Sequence, residues 1–272
     1  MNYRHAFHAG NFDDCIKHAL LVWLLRTMQR KPAALMVLDT HAGLGRYDLT
    51  TGPAARTGEW RHGIARLLEQ PPPALADYVD LVGRLGLYPG SPVLLRALLR
   101  PADRLACCEL HPEDCDILRA AFTRDRQVAV HHRDAWEALG ALLPPAEKRG
   151  LILIDPPFEA PDEFDRLAAG IRLAHRRFPQ GVIAAWYPIK HLAPVRAFHT
   201  ALRDSPVRDV VAAELTLRTP HDPARLNGCG LLIVNPPWRF ESEAAPILAA
   251  LRDRLGDGEA GEGCGIVRLV DE

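Results

Sequence analysis

Five short apolar runs, at residues 33–39, 104–109, 128–131, 151–155 and 182–187, constrain this chain more than any other feature. Each is too short for a buried helix and reads as a strand covered on both faces. Helical patterns lie between them at 93–99, 115–122, 135–142 and 164–178. A longer one at 11–30 precedes the first run, with Ile16, Leu20, Trp23, Leu24 and Met28 at helical spacing and Asn11 or Asp13 able to cap it. Strands alternating with amphipathic helices predict an α/β fold, a mostly parallel sheet with helices on both sides. The 272 residues are 48% apolar, enough to bury one large core, so we expect a single domain over 1–272. Residues 51–87 are too long for a simple crossover and contain Pro71-Pro72-Pro73; with helix-like stretches near 57–68 and 75–85, they read as an inserted helical subdomain. Residues 210–217 and 231–235 predict an antiparallel pair at the sheet edge. A small last strand is expected at 265–270, after a loop over 256–265.

In an open parallel sheet the ligand sits beyond the carboxyl ends of the strands, where the strand order reverses. The residues there are Asp39-Thr40-His41-Ala42-Gly43-Leu44-Gly45, Glu109, Asp134, Asp155-Pro156-Pro157-Phe158 and Trp186-Tyr187-Pro188. The Gly turn after Asp39 lacks the third glycine of the dinucleotide fingerprint. Alone it suits a cofactor loop or a plain strand-to-helix turn equally. Glu109 can accept both hydroxyl hydrogens of a ribose, and Asp134 can accept from an adenine amino group. Singly, each reads as a solvated carboxylate; together they outline a nucleotide-like cofactor site.

Leu151–Phe158 carries the chemistry. The lone pair of an exocyclic amine is delocalised into its ring, so an enzyme must grip the amine as it becomes tetrahedral. A carboxylate (Asp155) and a main-chain carbonyl (Pro156) can each accept one N–H, which turns the lone pair toward a methyl donor. The prolines stiffen the loop, and Phe158 offers a face on which a base can stack. By itself the segment predicts an amine methyltransferase and does not choose among DNA, RNA and protein. A second string, Leu231–Trp238, ends in Asn235-Pro236-Pro237-Trp238. Falling in the predicted antiparallel edge without strand-end acids before it, it is taken as a structural turn.

The net charge of −1 does not advertise a nucleic-acid binder, although a local patch suffices. The N-terminal segment supplies a candidate patch: Tyr3, Arg4, His5, Phe7 and His8 interleave aromatic and basic groups, and the next helix adds Lys17, Arg26, Arg30 and Lys31. No metal is expected, since His5 and His8 lack further ligands at recognisable spacing. The six cysteines form no Cys-x-x-Cys pair and read as reduced thiols. With no signal-type leader and no run long enough to span a bilayer, a cytoplasmic protein without a membrane partner is expected.

Tyr3-Arg4-His5-Ala6-Phe7-His8-Ala9-Gly10-Asn11, Lys17-His18, Leu38–Gly43, Tyr88–Pro92, Glu109–Pro112, Arg149–Pro157, Trp186-Tyr187-Pro188 and Asn235–Trp238 together resemble the RlmJ family, bacterial enzymes that form N6-methyladenine in 23S ribosomal RNA. The resemblance spans essentially the whole chain. It implies a Rossmann-like class I methyltransferase fold with a helical insertion, S-adenosyl-L-methionine as cofactor and 23S rRNA as partner; separately, a monomer is expected. It implies that His18, His41, Ser91, Glu109, Asp134, Ala135 and Asp155 contact the cofactor, with Asp155 catalytic. It places Tyr3 at the substrate RNA; with the loop and patch residues His5, Lys17, Pro156 and Phe158 read above, these are the expected substrate contacts. Phe158 stands where the family usually has Tyr, which keeps stacking and loses a hydroxyl; Ala135 replaces a common Gly. Naked RNA or an early assembly particle is the expected substrate, because the base must be unstacked into the site. The alternatives are a DNA adenine or guanine-amine methyltransferase, disfavoured by the lack of a separate sequence-reading domain, and a silent RNA-binding assembly protein, disfavoured by the intact Asp155-Pro156-Pro157.

Overall fold

The computed structural model describes residues 4–272. A 3-10 turn (His5–Phe7) leads into helix α1 (Phe12–Met28), followed by β1 (Met36–Asp39) and a short ribbon strand β2 (Arg46–Tyr47). Then come α2 (Gly52–Thr57), α3 (Ile64–Glu69), α4 (Ala76–Leu85), β3 (Tyr88–Pro89) and α5 (Ser91–Leu98). The alternation resumes with β4 (Arg104–Glu109), α6 (Pro112–Phe122), β5 (Val128–His132), α7 (Ala135–Leu142), β6 (Gly150–Ile154), α8 (Glu163–Arg177), β7 (Val182–Ile189) and α9 (Leu192–Arg203). The chain finishes with β8 (Val210–Thr216), β9 (Gly228–Val234), α10 (Phe240–Leu255) and β10 (Gly263–Val270).

Eight strands form one sheet in the order β5-β4-β1-β6-β7-β9-β8-β10. Pairings from β5 to β7 are parallel; those joining β7, β9, β8 and β10 are antiparallel. The chain runs outward from β1 through β4 to β5, then returns to pair β6 with the other side of β1. The crevice for a ligand therefore opens above β1 and β6. The sequence accounts for these positions: β1, β6 and β7 are buried at every residue, as a central strand covered by helices on both sides must be. Helix α1 starts where the Asn11 side chain accepts the Asp14 N–H at 3.2 Å, so Asn11 rather than Asp13 is the cap. Its far end is fixed to β1 by Asp103, whose buried carboxylate accepts from the Leu35 and Arg100 backbone N–H groups and from the Gln29 and Arg100 side chains.

The antiparallel edge and the last strand follow the expectation, although β10 begins at Gly263, inside the expected loop. The first strand begins at Met36, three residues late. The expected helix over 57–68 does not form as one piece. Gly58 adopts φ 66°, the left-handed conformation that ends α2, and Gly63 breaks the chain again before α3. Gly63 is forced by packing: a Cβ there would lie 2.1 Å from the Gly10 carbonyl oxygen, which accepts the Ile64 N–H at 2.8 Å. Two helices, α9 and α10, were not anticipated. Proline near the start of α9 and inside α10 (Pro246) masks their periodicity. All six cysteines are free thiols, five of them buried. Among the described residues no helix is long and apolar enough to cross a membrane.

Candidate active site

A cavity of about 990 Å³ opens above β1 and β6. Every expected site residue that the structure describes lines it; Tyr3 lies outside the described residues. The cavity has a half above β1, β4 and the start of α7, a centre at Asp155, and a half toward β8 and β9.

In the first half, Glu109 ends β4 and is buried. Its two carboxylate oxygens accept from the Gly43 N–H at 2.8 Å and the His111 N–H at 2.7 Å, which fixes the turn after β1. Burial raises its pKa against these hydrogen bonds. Gly43 is left-handed at φ 62°, and a Cβ there would meet the Tyr47 hydroxyl at 2.4 Å. Asp134 caps α7, Oδ1 accepting from the Trp136 and Glu137 N–H groups at 2.9 and 3.1 Å, so Oδ2 remains for a ligand. Ala135 and Ser91 open α7 and α5, where backbone N–H groups lack helical partners. Asp39 is fully buried, and burial, working against the nearby Ser91 hydroxyl and His41 backbone, pushes its pKa up to about 7. A buried carboxyl, a ribose-suited acid and two helix starts around one cavity fit an aminoacyl nucleoside.

At the centre, His41 Nδ1 lies 3.3 Å from the Asp155 N–H and 2.8 Å from the Thr40 hydroxyl. Burial lowers the His41 pKa to about 4, so the ring is neutral. Asp155 Oδ2 accepts from Lys17 Nζ at 2.6 Å, and its Oδ1 makes no hydrogen bond to a described residue. Lys17 also reaches Asp14 Oδ1 at 2.9 Å. Burial opposes its charge, but Asp14, Asp155 and Asp13 outweigh burial and hold it well above the ordinary lysine value. Asp14 is the hub of this network. Its other oxygen takes His5 Nε2 at 3.0 Å and the Gly10 N–H at 2.9 Å. His18 extends it, with Nδ1 at 3.0 Å from the Tyr88 hydroxyl, itself 3.2 Å from that of Tyr78 on α4. Burial lowers His18 to about 4.

Lys17 thus departs from the expectation of a phosphate contact grouped with Arg26, Arg30 and Lys31: its side chain is 3% exposed and ion-paired inward. The other three lie at or beyond the far end of α1. Phe158 sits at φ 50°, a costly backbone for a bulky residue, and packs edge-on to Phe164 and Trp186 at 4.8 and 5.8 Å. Sequence reasoning missed Asp14, although its spacing of three and four residues from Lys17 and His18 puts all three on one helical face. It also missed Trp136, which stacks edge-on to His41 at 5.7 Å beneath the Arg166 guanidinium. The second Pro-Pro-aromatic loop is a turn. β9 runs opposite to β6, so Asn235 falls at the other end of the sheet, where its Nδ2 donates to the Pro179 and Gly181 carbonyls at 2.7 and 2.8 Å. No cluster of three metal-binding side chains occurs among the described residues.

Comparison with known proteins agrees with this architecture. The family profile described as "Ribosomal RNA large subunit methyltransferase D, RlmJ" matches residues 32–265. Ribosomal RNA large subunit methyltransferase J of Escherichia coli is 37% identical over 271 residues, covering 96% of this chain and 97% of that protein. The Haemophilus influenzae protein of that name is 36% identical over 264 residues and covers 94% of each. A crystal structure of a Legionella pneumophila protein superposes with a TM-score of 0.87 at 35% identity, over 96% of this chain and 98% of that one. A probable spermidine synthase from Corynebacterium glutamicum, 15% identical with a TM-score of 0.51 over 93% of this chain and 74% of its own, shares the fold alone. The chain belongs to the RlmJ family of methyltransferases, enzymes whose methyl donor is S-adenosylmethionine.

Proposed function

We propose that this enzyme methylates N6 of an adenine in 23S ribosomal RNA, acting on naked RNA or an early assembly intermediate. The observation that carries the reading is Asp155. It directly follows β6, the neighbour of β1, in the cavity, with Lys17 holding one carboxylate oxygen at 2.6 Å and the other uncommitted. S-adenosylmethionine, when bound, supplies an electrophilic methyl group. His18, His41, Ser91, Glu109, Asp134 and Ala135 are assigned to hold it, Glu109 taking the ribose hydroxyls and Asp134 Oδ2 the adenine amine. Asp155 Oδ1 and the Pro156 carbonyl each accept one N–H of the target amine, which localises its lone pair. Lys17 fixes the carboxylate's orientation. The methylated amine is strongly acidic and gives its proton to Asp155 or water without a dedicated base.

Ribosomal RNA as substrate is supported by the names of the two bacterial relatives. His5 and Tyr3 are assigned to the RNA side. Phe158 presents an apolar surface to the base, which must leave its stack at a cost of a few kcal/mol, about the lowest in loose RNA. The test is transfer of label from the cofactor to rRNA from cells lacking the enzyme, compared with assembled subunits and with DNA. Label at adenine N6 of free 23S rRNA is expected. Label confined to DNA, or none in free rRNA, would overturn the proposal. Asp155→Ala should lower turnover by about two to three orders of magnitude while RNA binding measured by calorimetry changes much less.

A further inference from the structure

The half of the cavity toward β8 and β9 holds none of the groups assigned above. Its rim is built from the end of β7, the loop between β8 and β9, and the loop after α10. Leu217, Leu226 and Pro188 give it an apolar wall, and three cations stand on it: Lys190, Arg218 and Arg225. They are not equivalent. Arg218 is 15% exposed and pins its own loop, donating to the Leu226 carbonyl at 3.0 Å and to Glu259 at 3.0 Å. Arg225 is 54% exposed and stands 3.6 Å from the same Glu259 oxygen. Lys190 is exposed and makes no ion pair among the described residues. One carboxylate oxygen thus faces two guanidinium groups, an arrangement that suits an oxygen of a phosphodiester.

Resting on the assignment of an RNA substrate, we propose that Arg225 and Lys190 form a phosphate-binding subsite for the strand that carries the target base, with Glu259 as its built-in counterion. The base enters toward Asp155 while the flanking backbone lies on the rim. A phosphate replaces Glu259 beside Arg225, and Arg218 keeps the loop in place. The site reads backbone charge and carries no sequence information.

The sign of the Glu259 effect makes the subsite testable. Steady-state methylation of 23S rRNA by wild type, Lys190→Gln, Arg225→Gln, the double variant and Glu259→Gln is measured over a range of salt concentrations, with cofactor Kd alongside. Each cation variant should raise KM for RNA roughly two- to five-fold with kcat and cofactor Kd unchanged, and lower the slope of log KM against log salt by about 0.7 per charge. Glu259→Gln should lower KM. Unchanged KM and slope in the double variant, or a raised KM in Glu259→Gln with an unchanged melting temperature, would overturn the subsite while leaving the enzyme's proposed activity intact. A wild-type enzyme that leaves free rRNA unlabelled would overturn the activity, and the subsite with it.

Discussion

Asp13 and Asp14 are adjacent at the start of α1 and both buried, yet their carboxyl groups are driven in opposite directions. Burial would raise Asp14, but His5, Lys17 and His18 surround it and hold it well below the usual range. At Asp13, Lys17 and His5 also act but are outweighed. Burial and then the Asp14 charge push it up to about 7, and its Oδ1 has no hydrogen-bond partner. A raised folded-state pKa means that the native protein binds the extra proton. This stabilisation is fully present below the unfolded value near 4 and is lost as pH rises through about 7. Asp13→Asn should therefore raise the melting temperature at pH 8 by more than at pH 5; a uniform change across pH would contradict the assignment. Asp14→Ala removes the hub and leaves Lys17 with Asp155 alone. Such a broken buried network costs about 3–5 kcal/mol, and we expect a lower melting temperature and, in protein that still folds, lost turnover. The residue scale was only partly legible. Asp155 could be read because the chemistry is contained in four consecutive residues. The Lys17–Asp155 pair joins residues 138 apart, and neither side chain's spacing reveals the other.

At the scale of elements, the segment from α2 to α4 buries Ile64, Leu67, Tyr78, Val79 and Val82 in the main core and adds close backbone approaches to that apolar face. Gly63 is the tightest, packed on the Gly10 carbonyl. Gly63→Ala should cost more than about 1 kcal/mol through overpacking and shift the N-terminal turn that presents His5. Melting temperature and turnover should fall together; an unaffected melting temperature would show that the contact yields freely. The parallel strands were legible because a strand buried on both faces is a continuous apolar run. The interrupted helices of 51–87 were not, since Gly58 and Gly63 answer to tertiary packing that no local pattern encodes. α9 and α10 escaped because interior or early proline lowers intrinsic helix propensity, which packing against the sheet overrides here.

Over the whole molecule, long-range links tie the segment 51–87 and the N-terminal turn to the rest. Tyr78 reaches Tyr88 and through it His18 on α1. Arg66 on α3 donates to the Leu255 carbonyl at 3.1 Å and pairs with Asp257 at 2.6 Å. Arg4 crosses from the N-terminal turn to Glu113 and His111 on the far side of the cavity. We propose on this basis that the chain unfolds as one cooperative unit, with the segment 51–87 a helical insertion in that unit. Tryptophan fluorescence, which samples Trp60 within it and Trp23, Trp136, Trp186 and Trp238 outside, should change in step with far-ultraviolet circular dichroism. Separated transitions would show that the segment is autonomous.

The antiparallel course of β9 has a consequence for anyone who edits this gene. Two nearly interchangeable strings, one after β6 and one after β9, are directed to opposite poles by strand polarity alone. Converting the second to the acidic form, Asn235→Asp, would install a carboxylate where two carbonyl oxygens await an amide donor. It would build no spare catalyst, even when Asp155 is missing. Loss of activity after changes at 235–238 is thus a report on yield of folded protein, and its readout belongs with solubility rather than with kinetics.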